Sequence, residues 1–433
     1  MPDLPEGDAL SLPEGWVETS LREVGKAVTG KTPSKNNIEH WGNTLDFITP
    51  TDFKSDGKFL SQVDRRLSDE GRSAFKRLVV PSESVIVTCI GSDMGKVAIN
   101  KNDCVTNQQI NSIIVNQDKY DTDFIHYLLR AAYKVLRLYA DGGSTMPIIN
   151  KSTFESLTFE VPPLPEQKAI ADMLSSFDEK IELLREQNKT LETLAQTIFK
   201  EWFVNFNYPD LSACGHAQAD ATGEMVDSEL GEIPKGWRVG KLGEEFDITI
   251  GRTPPRKEQH WFSKTPTGKK WSSIKDIVNS GMYLFETSEY ITDEAISKFN
   301  IPIIPEDTVI LSFKMTVGKL AITTEDMLSN EAIAHMKIKS DSYLVSEYIY
   351  LFLHGLDFNS LGSTSSIVTA INSTMIKQIQ LLIPDEVATK SFQCLIKPIF
   401  EKIRNNTSQI QNLSKTRDIL LPKLMSGQVR VYG

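Results

Sequence analysis

The chain has 433 residues, 40% of them hydrophobic, and a formal net charge of −10, enough length for two or more globular domains. No run approaches the ~18 uncharged apolar residues of a membrane helix, the start around Asp3, Glu6 and Asp8 lacks the apolar core of a signal peptide, and the four cysteines are scattered without metal-ligand spacing. These features argue against a membrane or disulfide-framework protein and for a reduced, cytoplasmic one, and the acidic balance disfavours nucleic acid unless local basic patches supply the contacts.

In chain order, the first predicted unit is a mixed domain over 1–162. Short β-branched runs read as strands at Val85–Thr88, Val97–Ile99 and Ile113–Val115. Apolar residues at helical spacing predict a helix over Asp123–Tyr139, and an apolar strand follows at Leu157–Pro162. Next comes a long helix within 163–208, opened by Pro165 and Glu166, which suit a first helical turn. Its seam is Ile170, Leu174, Phe177, Ile181, Leu184, Asn188, Leu191, Ala195, Ile198 and Trp202, spaced alternately four and three apart. Residues 209–232 are small and polar and read as a linker.

From there the chain repeats itself. Leu12-Pro13-Glu14-Gly15-Trp16 returns as Ile233-Pro234-Lys235-Gly236-Trp237, and Gly30-Lys31-Thr32-Pro33 as Gly251-Arg252-Thr253-Pro254. His40-Trp41 returns as His260-Trp261, and Gly143-Ser144-Thr145 with Ile149-Asn150 as Gly362-Ser363-Thr364 with Ile371-Asn372. The period of about 220 residues is far longer than that of a solenoid, so a whole domain-plus-helix unit is duplicated. A second mixed domain is predicted over 233–384, with strands at Thr308–Leu311, Leu320–Ile322 and Ile379–Pro384 and a helix over Leu344–Leu356. A second helix and tail fill 385–433, with the seam Phe392, Ile396, Ile399, Ile403, Asn406, Ile410, Leu413, Arg417, Leu420 and Leu424. Pro398 should kink this helix or mark its start.

The predicted fold class is therefore α+β: two tandem domains, each followed by a long helix, the helices pairing as an antiparallel coiled coil with pseudo-twofold symmetry. Asn188 and Asn406 either fix register on that seam or face a gap or water. No catalytic arrangement is found. Gly91–Val97 has too few residues between its glycines for a phosphate loop, and Val97 stands where a magnesium-binding hydroxyl belongs. The histidines lie apart, no Gly-x-Ser-x-Gly elbow occurs, and Asp178-Glu179-Lys180 reads as a solvated helix face. Recognition or scaffolding fits better than chemistry.

The order and duplication of these segments, with Pro-Leu-Pro-Glu-Gln-Lys-Ala-Ile closing the first unit and Leu-Leu-Pro-Lys-Leu-Met-Ser-Gly-Gln-Val-Arg-Val closing the second, resemble the specificity subunits of type I restriction–modification systems over nearly the whole chain. Glu166-Gln167 has no match in the second unit. The resemblance implies that each mixed domain is a target recognition domain for one half of a bipartite, non-palindromic site in double-stranded DNA. It also implies that the helices set the spacer and dock two methyltransferase subunits, and that restriction/translocase subunits join. It implies no catalysis or cofactor in this chain; S-adenosylmethionine, ATP and magnesium belong to the partners.

Candidate phosphate contacts are Lys31, Lys35, Lys54, Arg65 and Arg66 in the first domain and Arg252, Arg256, Lys257, Lys269 and Lys270 in the second, drawn from two basic runs. Thr32 and Thr253 join them because each shares a Gly-Pro-framed loop with a cation. Ser144, Thr145, Ser363 and Thr364 offer hydroxyls for DNA or for capping a turn. Asn107-Gln108-Gln109 matches adenine-reading amides, but only Asn330 survives in Asn330-Glu331-Ala332, which favours a helix-cap role for both asparagines. The recurrent tryptophans 16, 41, 237 and 261 read as core. Trp271, beside Lys269-Lys270 and without a counterpart, is the candidate nucleic-acid contact. An assembly scaffold that avoids DNA, as the −10 charge allows, and an enzyme with an unrecognised site are the competing classes.

Overall fold

The computed structural model describes residues 13–53, 57–60, 62–91, 94–138, 148–208, 224–358 and 371–431. The chain forms two compact units, 1–183 with 410–433 and 184–409. Each unit therefore holds one mixed domain and a stretch of both long helices.

In the first unit, Gly25–Thr29, Ile110–Val115, Val85–Thr88 and Val97–Ile99 lie in that order in an antiparallel sheet. The central strands are apolar on both faces, and Val85, Ile86, Val87 and Ile113 are fully buried, as suits a sheet covered on each side. A second sheet runs Trp41–Gly42, Arg66–Leu67, Leu45–Ile48 and Cys104–Thr106, its last pair parallel. Helix Thr122–Ala131 is started by Asp121, whose carboxylate accepts from the Phe124 N–H at 2.9 Å. It packs Phe124, Ile125, Leu128 and Leu129 into the core together with Leu421, Leu424 and Met425 from the end of the second long helix.

The second unit repeats the plan. Phe246–Ile250, Ile333–Ile338, Val309–Ser312, Leu320–Thr323 and Tyr283–Leu284 form the larger sheet, and Phe262–Ser263, Glu289–Ile291, Lys269–Ser272 and Leu328–Ser329 the smaller. Its core takes in Ala195, Phe199, Trp202 and Phe203 from the end of the first long helix, with Phe203 and Phe392 edge to face at 4.8 Å. Residues Met225–Ser228 and Gly231–Pro234 pair as a hairpin, which lies largely within the span read as a linker. Asn150 and Asn372 cap the matched short helices Lys151–Glu155 and Ser373–Lys377, each accepting a backbone N–H at 2.9 Å.

The long helices are Leu164–Phe203 and Glu386–Met425, 40 residues each, about 60 Å at 1.5 Å per residue. Pro398 neither starts nor ends the second one, which begins at Glu386; this corrects the expectation of a start there. Within the first unit Glu166 meets Arg430 and Asp178 meets Arg417. Within the second, Asn188 meets Asn406 at 2.9 Å while Phe203 meets Phe392. In both units, then, the helices run antiparallel. Of the seam, Ile170, Leu174, Ile181, Leu184, Ile396 and Ile403 are buried, while Phe177, Leu191, Ile198, Ile399, Ile410, Leu413 and Leu420 are half-buried. Asn188 and Asn406 bond to each other across the seam. Asp178, read as part of a solvated face, is only 8% exposed and ion-paired to Arg417. Its burial follows from helix Thr122–Ala131 covering that side of the seam, where Tyr127 Oη donates to Asp178 at 2.7 Å.

Candidate nucleic-acid interface

The structure joins two sequence motifs into one site and builds that site twice. In the first unit the Gly30–Pro33 loop leaves the sheet beside the turn 107–109. Lys31 N–H donates to Thr106 O at 2.9 Å, and Thr32 Oγ1 donates to Gln108 Oε1 at 2.5 Å. In the second unit Arg252 N–H donates to Ser329 O at 2.9 Å, and Thr253 Oγ1 donates to the Glu331 carboxylate. The glycines are demanded by this stitching. A Cβ at Gly30 would lie 2.1 Å from Thr106 O, and one at Gly251 would lie 2.3 Å from Asn330 O, so only glycine lets the loop close on its neighbour.

Asn107 and Asn330 are not helix caps, which corrects that expectation. The Oδ1 of each accepts the N–H two residues on, Gln109 and Ala332, at 3.0 Å. No helix follows either; both are Asx turns that shape the floor of the site. Gln108 and Glu331 are exposed at equivalent places on these turns. The hydrogen bond from Thr253 holds the Glu331 carboxyl below its ordinary pKa, with Lys314 and Arg256 helping. One site thus offers an amide and the other a carboxylate.

The predicted cations divide into two groups. Lys31, Lys35 and Lys257 are exposed and make no ion pair among the described residues. The others already have partners. Arg65 stacks its guanidinium 3.8 Å from the centre of the Trp41 ring, and Arg66 Nε donates to Asp46 at 2.8 Å. Arg252 donates to Phe299 O at 2.6 Å. Arg256 is clamped by both Glu289 oxygens at 2.9 Å and lies over Phe262 at 4.2 Å and Trp271 at 4.6 Å. Lys269 lies 4.0 Å from Asp326, and Lys270 bonds Glu325. Three cations of the denser basic run, Arg256, Lys269 and Lys270, are therefore paired with acids distant in sequence. Lys54, Ser144, Thr145, Ser363 and Thr364 lie outside the described residues.

Trp271 does not face solvent. It is 2% exposed, its indole N–H donates to Arg252 O at 3.3 Å, and it packs against Phe262. This corrects its assignment as a nucleic-acid contact. Burial increases along the Lys269–Ser272 strand, whose lysines are half-buried and whose Trp271 and Ser272 are buried. Trp16, Trp237 and Trp261 are buried as expected, but Trp41 is only half-buried, with Arg65 over its open face.

Sequence reasoning missed one exposed element. Between strands Val309–Ser312 and Leu320–Thr323, Met315 has a left-handed backbone (φ 60°) and is 95% exposed. Ser312 Oγ braces the loop by accepting from Lys319 N–H at 3.0 Å and donating to Thr316 O at 2.5 Å. Its neighbour Lys314 is among the charges felt by Glu331, which puts this tip on the side of the second site. Beneath that site His335 bonds Ser329 at 2.7 Å and Thr249 at 3.0 Å, and burial lowers its pKa to about 4. No group of acids, histidines and cysteines able to hold a metal occurs among the described residues.

The family model described as the type I restriction modification DNA specificity domain matches twice, over residues 13–193 and 234–417. The MjaIX specificity subunit of Methanocaldococcus jannaschii is 28% identical over 439 residues, covering 98% of this chain and 96% of that one. The HindI specificity subunit of Haemophilus influenzae is 24% identical, covering 66% of this chain and 72% of the relative. Among solved structures, the S subunit of a type I restriction–modification system from M. genitalium superposes with a TM-score of 0.58 at 15% identity, covering 96% of this chain and 98% of that one, which supports the same fold. With both halves matched by one family model, this chain belongs to the type I restriction–modification DNA specificity family.

Proposed function

We propose that this chain is the sequence-specific DNA-recognition subunit of a type I restriction–modification complex. The observation that carries this is the twofold occurrence of one rigid loop, Gly30–Pro33 and Gly251–Pro254, each stitched to an Asx turn. Equivalent scaffolds with unlike exposed groups, Gln108 and Glu331, read unlike half-sites, and so the bipartite target is non-palindromic. Lys31, Lys35 and Lys257 contact phosphate, which positions the protein without specifying sequence. Arg65, Arg66, Arg252, Arg256, Lys269 and Lys270 lend a second layer when DNA competes for their present partners.

The two long helices set the distance between half-sites, as dimer geometry sets half-site spacing elsewhere, and dock two methyltransferase subunits. Target recognition spans 1–162 and 233–384, with helix 163–208, linker 209–232 and helix and tail 385–433. Restriction/translocase subunits complete the assembly in the cytoplasm. Those partners carry the chemistry with S-adenosylmethionine, ATP and magnesium; this chain supplies none. The methyltransferases extrude the target base, so this chain grips DNA on either side of a distorted step.

The pairing of Arg256, Lys269 and Lys270 with acids in the second unit favours a second reading, a scaffold that binds proteins only. A gel-shift titration with the methyltransferase present separates the two. Retention of one duplex against a large excess of scrambled competitor supports recognition. Equal, weak shifts of all duplexes by a stable protein complex support the scaffold.

A further inference from the structure

The seams of the two long helices are not interchangeable. In the first unit Asp178 and Arg417 form an ion pair with side chains 7% and 6% exposed, and Tyr127 donates to the same carboxylate at 2.7 Å. The sequence repeat aligns Asp178 with Phe400 and Arg417 with Ala195. In the second unit that junction is wholly apolar: Phe400 is 1% exposed and Ala195 0%, both within one hydrophobic cluster. Arg130 adds a second cation at the first junction, 3.7 Å from Asp178 and 3.9 Å from Asp418. One junction is thus an acid against a base and the other a large ring against a methyl group. Each is complementary only when a first helix meets a second helix.

We infer that this junction is an interaction surface coded for the unlike half of the chain, so that a half cannot pair with the like half of a second copy. Two first helices set antiparallel in the same register would bury Asp178 against Ala195 at both ends. Two second helices would bury Arg417 against Phe400. Either arrangement breaks the Asp178–Arg417 pair and sets each charge against an apolar side chain, leaving Asp178 only Arg130 at 3.7 Å and Tyr127, and Arg417 only Asp418 at 2.8 Å, within their own halves, which is unfavourable. Within the native pairing, by contrast, a buried ion pair adds little over well-packed apolar residues. Its value here is discrimination, the role that a buried polar residue plays in fixing coiled-coil partners. Asn406, fully buried and bonded to Asn188, adds register to that choice.

The test starts from the folded full-length chain with a protease site placed among residues 209–223. Isotopically heavy and light preparations are cut, mixed, and held at the lowest urea concentration at which heavy and light unlike halves exchange. Native mass spectrometry then counts the pairs. Wild type should give exchanged unlike pairs, with like pairs under about one-tenth of the total. Asp178→Leu with Arg417→Leu keeps the seam packed but erases the code, and should raise the like pairs at least tenfold. Like pairs in wild type at the share seen for the leucine variant would overturn the proposal, as would no rise in that variant.

Discussion

Arg256 shows how far a single side chain's surroundings govern its role. Its charge is held by Glu289, 33 residues away in sequence, and its plane rests on Phe262 and Trp271. From the sequence it reads as one more cation in a basic run, because the acids that pair with the run are brought in by the pairing of strand Lys269–Ser272 with Glu289–Ile291 on one side and Leu328–Ser329 on the other. The burial of Trp271 is hidden from the sequence for the same reason. Trp271→Ala should cost about 3–5 kcal/mol of stability through the cavity it leaves, measured by denaturant unfolding; a fully stable variant unable to bind DNA would contradict the buried role. Charge reversal of the free pair, Lys31→Glu with Lys35→Glu, should weaken binding to every duplex alike. It should also reduce the salt dependence of log K by roughly one unit for each phosphate that is no longer neutralised. A change confined to one sequence would contradict phosphate binding by these lysines.

Two buried histidines tie stability to acid. His126 has no exposed surface, and burial, followed by the cations Arg130, Lys58 and Arg417, depresses its pKa well below 6.5; His335 is lowered to about 4 by burial. A folded histidine that stays neutral stabilises fully above the unfolded pKa near 6.5. That stability is lost as pH falls below it, because the unfolded chain takes up protons the folded chain refuses. Unfolding at a series of pH values between 7.5 and 4.5 should show this decline, and His126→Leu should flatten it. An acid limb unchanged in that variant would assign the decline to other groups.

At the scale of elements, periodicity is the strongest signal in the sequence. Both long helices, the apolar strands and the duplicated loops lie where spacing and β-branched runs place them, because these patterns depend on neighbours in sequence. What spacing does not show is which polar residue will be buried. Asp178 fits a solvated face by local pattern, and only its pairing with Arg417, 239 residues on, places it in the seam. Pro398 shows that a long, packed helix can override a local breaker, since tertiary burial of Ile396, Phe400 and Ile403 outweighs one missing backbone bond. Insertion of one heptad into the 170–202 seam should shift the preferred gap between half-sites or abolish modification, scored by the methylated motif. An unchanged motif would refute the helices' role as a ruler.

For the whole molecule, charge is a poor guide and repetition a good one. A net charge of −10 says little when Lys31, Lys35 and Lys257 sit exposed by the two matched loops and acids elsewhere serve as internal partners. The duplication carries both the family and the site, since Gly30–Pro33 and Gly251–Pro254 are equivalent down to their hydrogen bonds. The turns they close on, 107–109 and 330–332, are legible as a motif but not as partners of those loops. The measurement that tests the central claim most directly is methylome sequencing of cells carrying this chain with its cognate methyltransferase, against cells with the methyltransferase alone. A split, non-palindromic motif with N6-methyladenine in both halves, present only with this chain, is the predicted result. A stable complex that yields no new motif would contradict it.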